Sequence, residues 1–375
     1  MSLFSTQTLV PNHRPEAGLL LHCVRPYLDA FAIEQIQSGL QQLLDWGFLL
    51  RMVDKHRVLP LFYKNLQSAA AGQVPPEFLA ELRKRFFENA KRNLLLTNEL
   101  LRLLQLFQSA EIRIIPYKGT VLAASVYGKQ SLRQVWDLDV LVAEADVPRS
   151  RELLLEQGYL LKEAWDREQS FIHTTRQVEV DLHWGLTPFY FPIKLDFERL
   201  WSNLQPLTLA ETTIYSFAPE DLLVILCIQV AKDCWERRQH LEHLAKVCDI
   251  ATLLHTHPTL NWERVMQQAT DIGVVRVVNF GLYLSQGLLK AELPIAIQQR
   301  VERDSKAIAL AHQVCAQLFG AIDETFASNR NSYLNIKMRL NQLKFYLGIR
   351  ERLKYKLQHI WEIFWSLIRA SQLIT

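Results

Sequence analysis

Apolar residues in the first hundred positions recur at three- and four-residue steps. Leu28, Ile33, Ile36, Leu40, Leu43 and Leu44 give residues 27–70 a helical period. After Pro75-Pro76, the positions Leu79, Leu82, Phe86, Ala90, Leu94, Leu101, Leu104 and Phe107 predict one long helix. The pattern changes at Glu111. Ile112–Ile115 is a short β-branched run ended by Pro116, and Val135–Val142 (VWDLDVLV) alternates, so both predict strands. Between them Lys118-Gly119-Thr120 falls at a strand-to-helix turn, followed by a short helix to Tyr127. Asp146-Val147-Pro148 predicts a helix start and Gly158 its C-cap. Leu160–Ala164, Ser170–Thr174 and Gln177–Trp184 predict three further strands. Beyond Ala218-Pro219-Glu220-Asp221, helical spacing returns near 219–236, 239–256, 261–271, 273–290 and 294–320. One or two basic, aromatic helices are predicted over 333–372.

The elements sort into four regions: an N-terminal helical region (1–109), an α/β core (110–217), a helical domain (218–328) and basic amphipathic C-terminal helices (329–375). Composition narrows the class. A chain of 375 residues that is 49% hydrophobic and 22% charged is globular, and 13 Gly with 14 Pro argue against collagen-like, disordered or turn-rich propeller architectures. The net charge of +3 is too mild to mark a nucleic-acid binder, and it averages unlike parts. Residues 330–375 carry nine bases against Glu351 and Glu362, a net of +7, which leaves −4 on the remainder. Trp361, Phe364, Trp365 and Ile368 make an apolar stripe on that tail. The combination suits an anionic membrane surface or an acidic partner; packing against the protein's own helices is the plainer reading. No uncharged apolar stretch of about 18 residues is present, and the N-terminus lacks a signal-peptide pattern. Five cysteines without a CxxC read as reduced, buried thiols in a cytoplasmic protein.

The candidate chemistry lies in the alternating strands. Asp137 and Asp139 are two residues apart, so on a strand both carboxylates project to one side while Leu138 and Val140 face the core. Two adjacent carboxylates repel each other, and a divalent cation is the natural compensation; oxygen ligands suit Mg²⁺ or Mn²⁺. In Val178–Trp184 (VEVDLHW), alternation puts Glu179, Asp181 and His183 on one face. If the two strands are neighbours, Asp181 completes a three-carboxylate cluster, with His183 either supporting a metal-bound carboxylate from behind or simply packed in the core. Gly119 allows a close backbone approach to a ligand, and Lys118 and Arg133 can add cationic contacts to a phosphate.

These strings, from Tyr117 through KGTVLAASVYGKQSLRQVWDLDVLV to Val142 and then VEVDLHW to Trp184, resemble the nucleotidyltransferase superfamily of the DNA-polymerase-β-like fold. They are most similar to a branch of uncharacterised bacterial members with a Lys-Gly turn, an Arg, a hydrophobic-flanked DxD and a later acid before Leu-His-Trp. The resemblance covers roughly 100–320. It implies an α+β fold, with a small mixed β-sheet nucleotidyltransferase core flanked by N-terminal and C-terminal helical domains. It implies Asp137, Asp139 and Asp181 as catalytic, metal-binding acids and Lys118, Gly119, Thr120 and Arg133 as nucleotide-binding residues. Thr120 departs from the superfamily's usual Ser or Gly but keeps a hydroxyl. The implied reaction is Mg²⁺-dependent (or Mn²⁺-dependent) transfer of a nucleoside monophosphate from an NTP, ATP among them, to an acceptor, with pyrophosphate released. The acceptor is left open among a small molecule, a peptide or protein, and an RNA end. The alternative is a catalytically silent nucleotide-binding or antitoxin-like interaction protein of the same fold.

Overall fold

The computed structural model describes residues 9, 14–188, 191, 193–194, 196–236, 240–316, 318–319, 343–351 and 357. The chain divides into two compact units, residues 80–222 and residues 1–79 with 223–375.

The chain opens with helices α1 (Pro15–Cys23), α2 (Ala30–Leu40), α3 (Trp46–Lys55) and α4 (Leu59–Ala70). The single helical period read over 27–70 is therefore three helices. Asp29 and Asp45 start α2 and α3: each side chain accepts the backbone N–H three residues on, at 2.6 and 2.8 Å, whereas α4 starts without a side-chain cap, with Pro60 in its first turn. Helix α5 (Pro76–Ser109) follows as predicted, 34 residues long.

The sheet follows. Strand β1 (Ile114–Pro116) leads into the short α6 (Gly119–Ser125), then β2 (Leu138–Val142), α7 (Val147–Glu156), β3 (Leu160–Ala164), β4 (Glu168–His173) and β5 (Val178–His183). The order is β1-β2-β5-β4-β3, with only the β2–β5 pair parallel, so the sheet is mixed. One face is apolar. Leu138, Val140, Val142, Val178, Val180 and Leu182 meet Leu96, Leu100, Leu103 and Phe107 of α5 and Leu154 of α7 in one core. Alternation sends Asp139, Asp181 and His183 to the opposite face. The fold class is α+β. One strand differs from the sequence reading in a way that matters: β2 starts at Leu138, so Asp137 sits in the bend before it.

Helix α8 (Phe197–Ser202) and a hairpin of β6 (Gln205–Leu209) and β7 (Thr212–Ser216) complete this unit; the hairpin was not predicted. Helices α9 (Pro219–Glu236), α11 (Trp262–Asp271) and α12 (Val275–Leu289) follow the predicted spans closely, whereas α10 (Ala245–Thr256) starts six residues later than the predicted 239. The segment predicted as one helix over 294–320 is two, α13 (Ile295–Arg303) and α14 (Ser305–Cys315). Asp304 separates them: it caps α14 at Ala307 N, 3.1 Å, and binds Arg276 Nε at 3.0 Å. In this helical unit α12 is the buried centre. Gly281 lets it approach its neighbours, because a Cβ there would stand 2.6 Å from Cys227 Sγ on α9. All five cysteines are free and buried, as expected. Among the described residues no helix is long and apolar enough to cross a membrane. Most of the predicted basic C-terminal region, including Trp361, Phe364, Trp365 and Ile368, lies outside the described residues.

Candidate active site

The polar face of the sheet gathers the predicted acids. Asp139 and Asp181 are direct partners in the parallel β2–β5 register, so their Cα atoms face each other across one strand spacing. Asp139, Asp181 and His183 each offer a ligand atom, all within 4.8 Å of one another. Asp137 stands at the strand entrance, close enough to feel the Asp139 charge and to push on Asp181.

Asp139 is the most enclosed of the three, 8% exposed. Its Oδ1 accepts from Lys118 Nζ at 2.7 Å and lies 3.1 Å from His183 Nε2. Burial alone would raise its pKa, but the Lys118 ammonium and His183 outweigh burial and hold the carboxyl well below the usual range. Asp181 goes the other way. Burial and the charges of Asp139 and Asp137 push it up to about 7, with a Ser170 hydrogen bond opposing. Asp137 is also raised, by burial and then by Asp139.

His183 joins the cluster to a residue that the sequence did not flag. Its Nδ1 lies 3.3 Å from Glu168 Oε2, and Glu168 pairs with His183 across β4–β5. Burial lowers the imidazole pKa, and the hydrogen bonds to Asp139 and Glu168 more than offset this, so it sits above its ordinary value. A signal for Glu168 existed: Glu168 and Ser170 alternate on β4 opposite His183 and Asp181. Tyr117 packs edge-on against the His183 ring, centroids 5.6 Å apart.

The Lys118-Gly119 turn sits against these acids. Lys118 has φ 56° and ψ −148°, a region that side chains rarely occupy and that stores about 1–3 kcal/mol. Gly119 has φ +43°, and a Cβ on it would come within 3.3 Å of the Asp137 carbonyl. Thr120 is buried, and among the described residues its Oγ1 has no hydrogen-bond partner. The Arg133 guanidinium acts on Asp137 from the loop before β2 and, after Lys118, opposes the rise in its pKa. Lys118, Asp139, Asp181 and His183 therefore gather on the polar face, with Gly119 against Asp137 at its edge.

With this geometry in view, residues 42–290 match the model of a family described as uncharacterised nucleotidyltransferase. The chain belongs to that family and is a nucleotidyltransferase. No curated protein matches it. Two solved structures resemble it in part. The lincosamide antibiotic adenylyltransferase LnuA, lincomycin-bound, is 19% identical over 34% of this chain and 83% of its own, with a TM-score of 0.26. An antigenic nucleotidyltransferase-like protein from Paracoccidioides brasiliensis is 13% identical over 54% of this chain and 94% of its own, with a TM-score of 0.33.

Proposed function

We propose that this chain transfers a nucleoside monophosphate from an NTP to an acceptor nucleophile, releasing pyrophosphate, with a divalent cation held by Asp139, Asp181 and Asp137. The observation that carries the reading is the in-register pairing of Asp139 and Asp181 with His183 beside them. The donor set fits the ion: hard carboxylate oxygens suit Mg²⁺ or Mn²⁺, and like charge crowds Asp137 and Asp181 against Asp139. Such an ion, when bound, supplies charge neutralisation on the triphosphate and lowers the pKa of an attacking hydroxyl.

The residues around it have separate tasks. Gly119 brings backbone next to Asp137, and Thr120 follows it with a hydroxyl that has no partner among the described residues; a phosphate oxygen would be received here. Lys118 and Arg133 supply positive charge for the β- and γ-phosphates. The acceptor oxygen or nitrogen bonds to the α-phosphorus, the bond from that phosphorus to the bridging β-oxygen breaks, and pyrophosphate carries the electron pair away. The proton lost by the acceptor goes to Asp181, which serves as the general base. Acceptors of three kinds are consistent with this chemistry: a small molecule, a peptide or protein side chain, and an RNA end.

One observation favours a second reading. Lys118 and His183 already compensate Asp139, as they would in a nucleotide-binding, antitoxin-like protein with no turnover. Labelled-NTP transfer screened across acceptors separates the two. Mg²⁺-dependent pyrophosphate release that is lost in Asp137→Ala and Asp139→Ala supports transfer. NTP binding with no release for any acceptor supports the silent protein.

A further inference from the structure

Residues 133–137 belong to no helix or strand, yet they set where Arg133 and Asp137 stand. No ladder holds them. Three side chains of α5 do so instead. Asn93 Nδ2 donates to the Gln130 carbonyl at 2.5 Å and to the Arg133 carbonyl at 2.8 Å. Asn89, one turn earlier, donates to the Ser131 carbonyl at 3.1 Å and to the same Arg133 carbonyl at 3.2 Å. Arg92 donates from Nε to Val135 O at 3.2 Å and from Nη2 to Trp136 O at 2.9 Å, and its guanidinium lies 5.0 Å from the Trp136 ring centroid. Side chains one turn apart share a helix face, so one short stretch of α5 grips the whole loop, twice at Arg133.

The helix does not need these residues for itself. Asn is a poor interior helix former. Asn93 is 0% exposed, and among the described residues its Oδ1 has no hydrogen-bond partner. A buried orphan acceptor is a cost that an apolar residue would remove. Leu96 and Leu100, one and two turns on, show what this helix otherwise buries. Local rules broken in this way point to a site that the residue serves.

We infer that Asn89, Arg92 and Asn93 are positioning residues of the nucleotide site, fixing the backbone at 130–136 so that the Arg133 side chain is presented to the triphosphate. The inference rests on the nucleotide-binding role proposed for Arg133. None of the three touches substrate; they act through the loop they hold.

The test is a double-mutant cycle read as NTP affinity by equilibrium binding of ATP, GTP, CTP and UTP with Mg²⁺. Asn93→Leu and Asn89→Ala are each expected to weaken the best-binding nucleotide about tenfold. The Asn93→Leu melting temperature should fall only modestly, because losing the donor to the Gln130 carbonyl is partly offset by removing the orphan Oδ1. On an Arg133→Ala background the same changes should cost less than a further twofold. Unchanged affinity in both clamp variants, with Arg133→Ala impaired, overturns the inference alone. So does a loss that multiplies in full with Arg133→Ala, which marks a purely structural role. An Arg133→Ala protein with unaltered NTP affinity overturns the reading of Arg133 and the clamp with it. Asn89→Ala, at a partly exposed position, keeps the cycle decisive if Asn93→Leu fails to fold.

Discussion

Asp139 and Asp181 face each other in register on adjacent strands, and their environments drive their carboxyls in opposite directions. Asp139 has the Lys118 ammonium at 2.7 Å; Asp181 has neighbouring carboxylates and is pushed up to about 7. Replacing them should therefore change stability with opposite sign. Asp139→Asn leaves a buried ammonium without its partner and should cost about 3 kcal/mol. Asp181→Asn removes an uncompensated charge. The native Asp181 holds its proton up to about pH 7 while an unfolded aspartate loses it near 3.9, so native stability falls as pH rises through that window. The metal-free Asp181→Asn protein should melt higher than wild type at pH 8 and show no advantage at pH 4. Urea melts at both pH values check this, and equal signs for the two variants at pH 8 would refute it.

Lys118 combines an ion pair with a strained backbone. Lys118→Ala and Lys118→Gly both delete the ammonium, but glycine also relieves the positive φ. Lys118→Gly should be more stable than Lys118→Ala by about 1 kcal/mol or more. The reverse order in denaturant melts would show that the strain is not there.

Gly119 is expected to tolerate nothing larger than hydrogen. Alanine at φ +43° would also press on the Asp137 carbonyl, so Gly119→Ala should cost about 1–2 kcal/mol. NTP affinity should fall more than that stability loss accounts for, as measured by equilibrium binding.

Glu168 orients the His183 ring through Nδ1. Outer carboxylates of this kind typically change metal affinity by about 10–100-fold when removed. Glu168→Ala should weaken Mn²⁺ binding by about tenfold in electron paramagnetic resonance titrations. Unaltered binding would leave the Glu168–His183 contact structural only.

A separate pH effect belongs to the helical unit. Burial, with Lys55 and His243 nearby, pulls the His56 imidazole down to about 3. The unfolded chain takes up that proton near pH 6.5, so acidification from 6.5 toward 3 favours unfolding. His56→Leu should lose less melting temperature than wild type between pH 7 and pH 5.

Much of this was legible in the sequence because strand period is unambiguous where one face is apolar. VEVDLH alternates cleanly, and β5 occupies Val178–His183 with Asp181 and His183 on the polar side. That β5 lies beside β2 was not legible from spacing: a parallel pairing of residues as far apart as Asp139 and Asp181 has no local signature, and only the family resemblance implied it. The β6–β7 hairpin escaped because Ala210 and Glu211 both take positive φ, 46° and 68°, with none of the Gly or Asn that marks such turns. The sequence reading passed over Asn89, Arg92 and Asn93, since a polar residue facing a loop's carbonyls looks the same in sequence as one facing water.

The sheet order carries one more consequence. Strand β5 inserts between β2 and β4, so Asp139 waits for a neighbour that is synthesised after α7, β3 and β4. A ribosome that has released the chain only through β4 has delivered Lys118 and Asp139 but neither Asp181 nor His183. Such a fragment can form the ion pair and cannot form the cluster. The cluster is thus assembled only once β5 has been made.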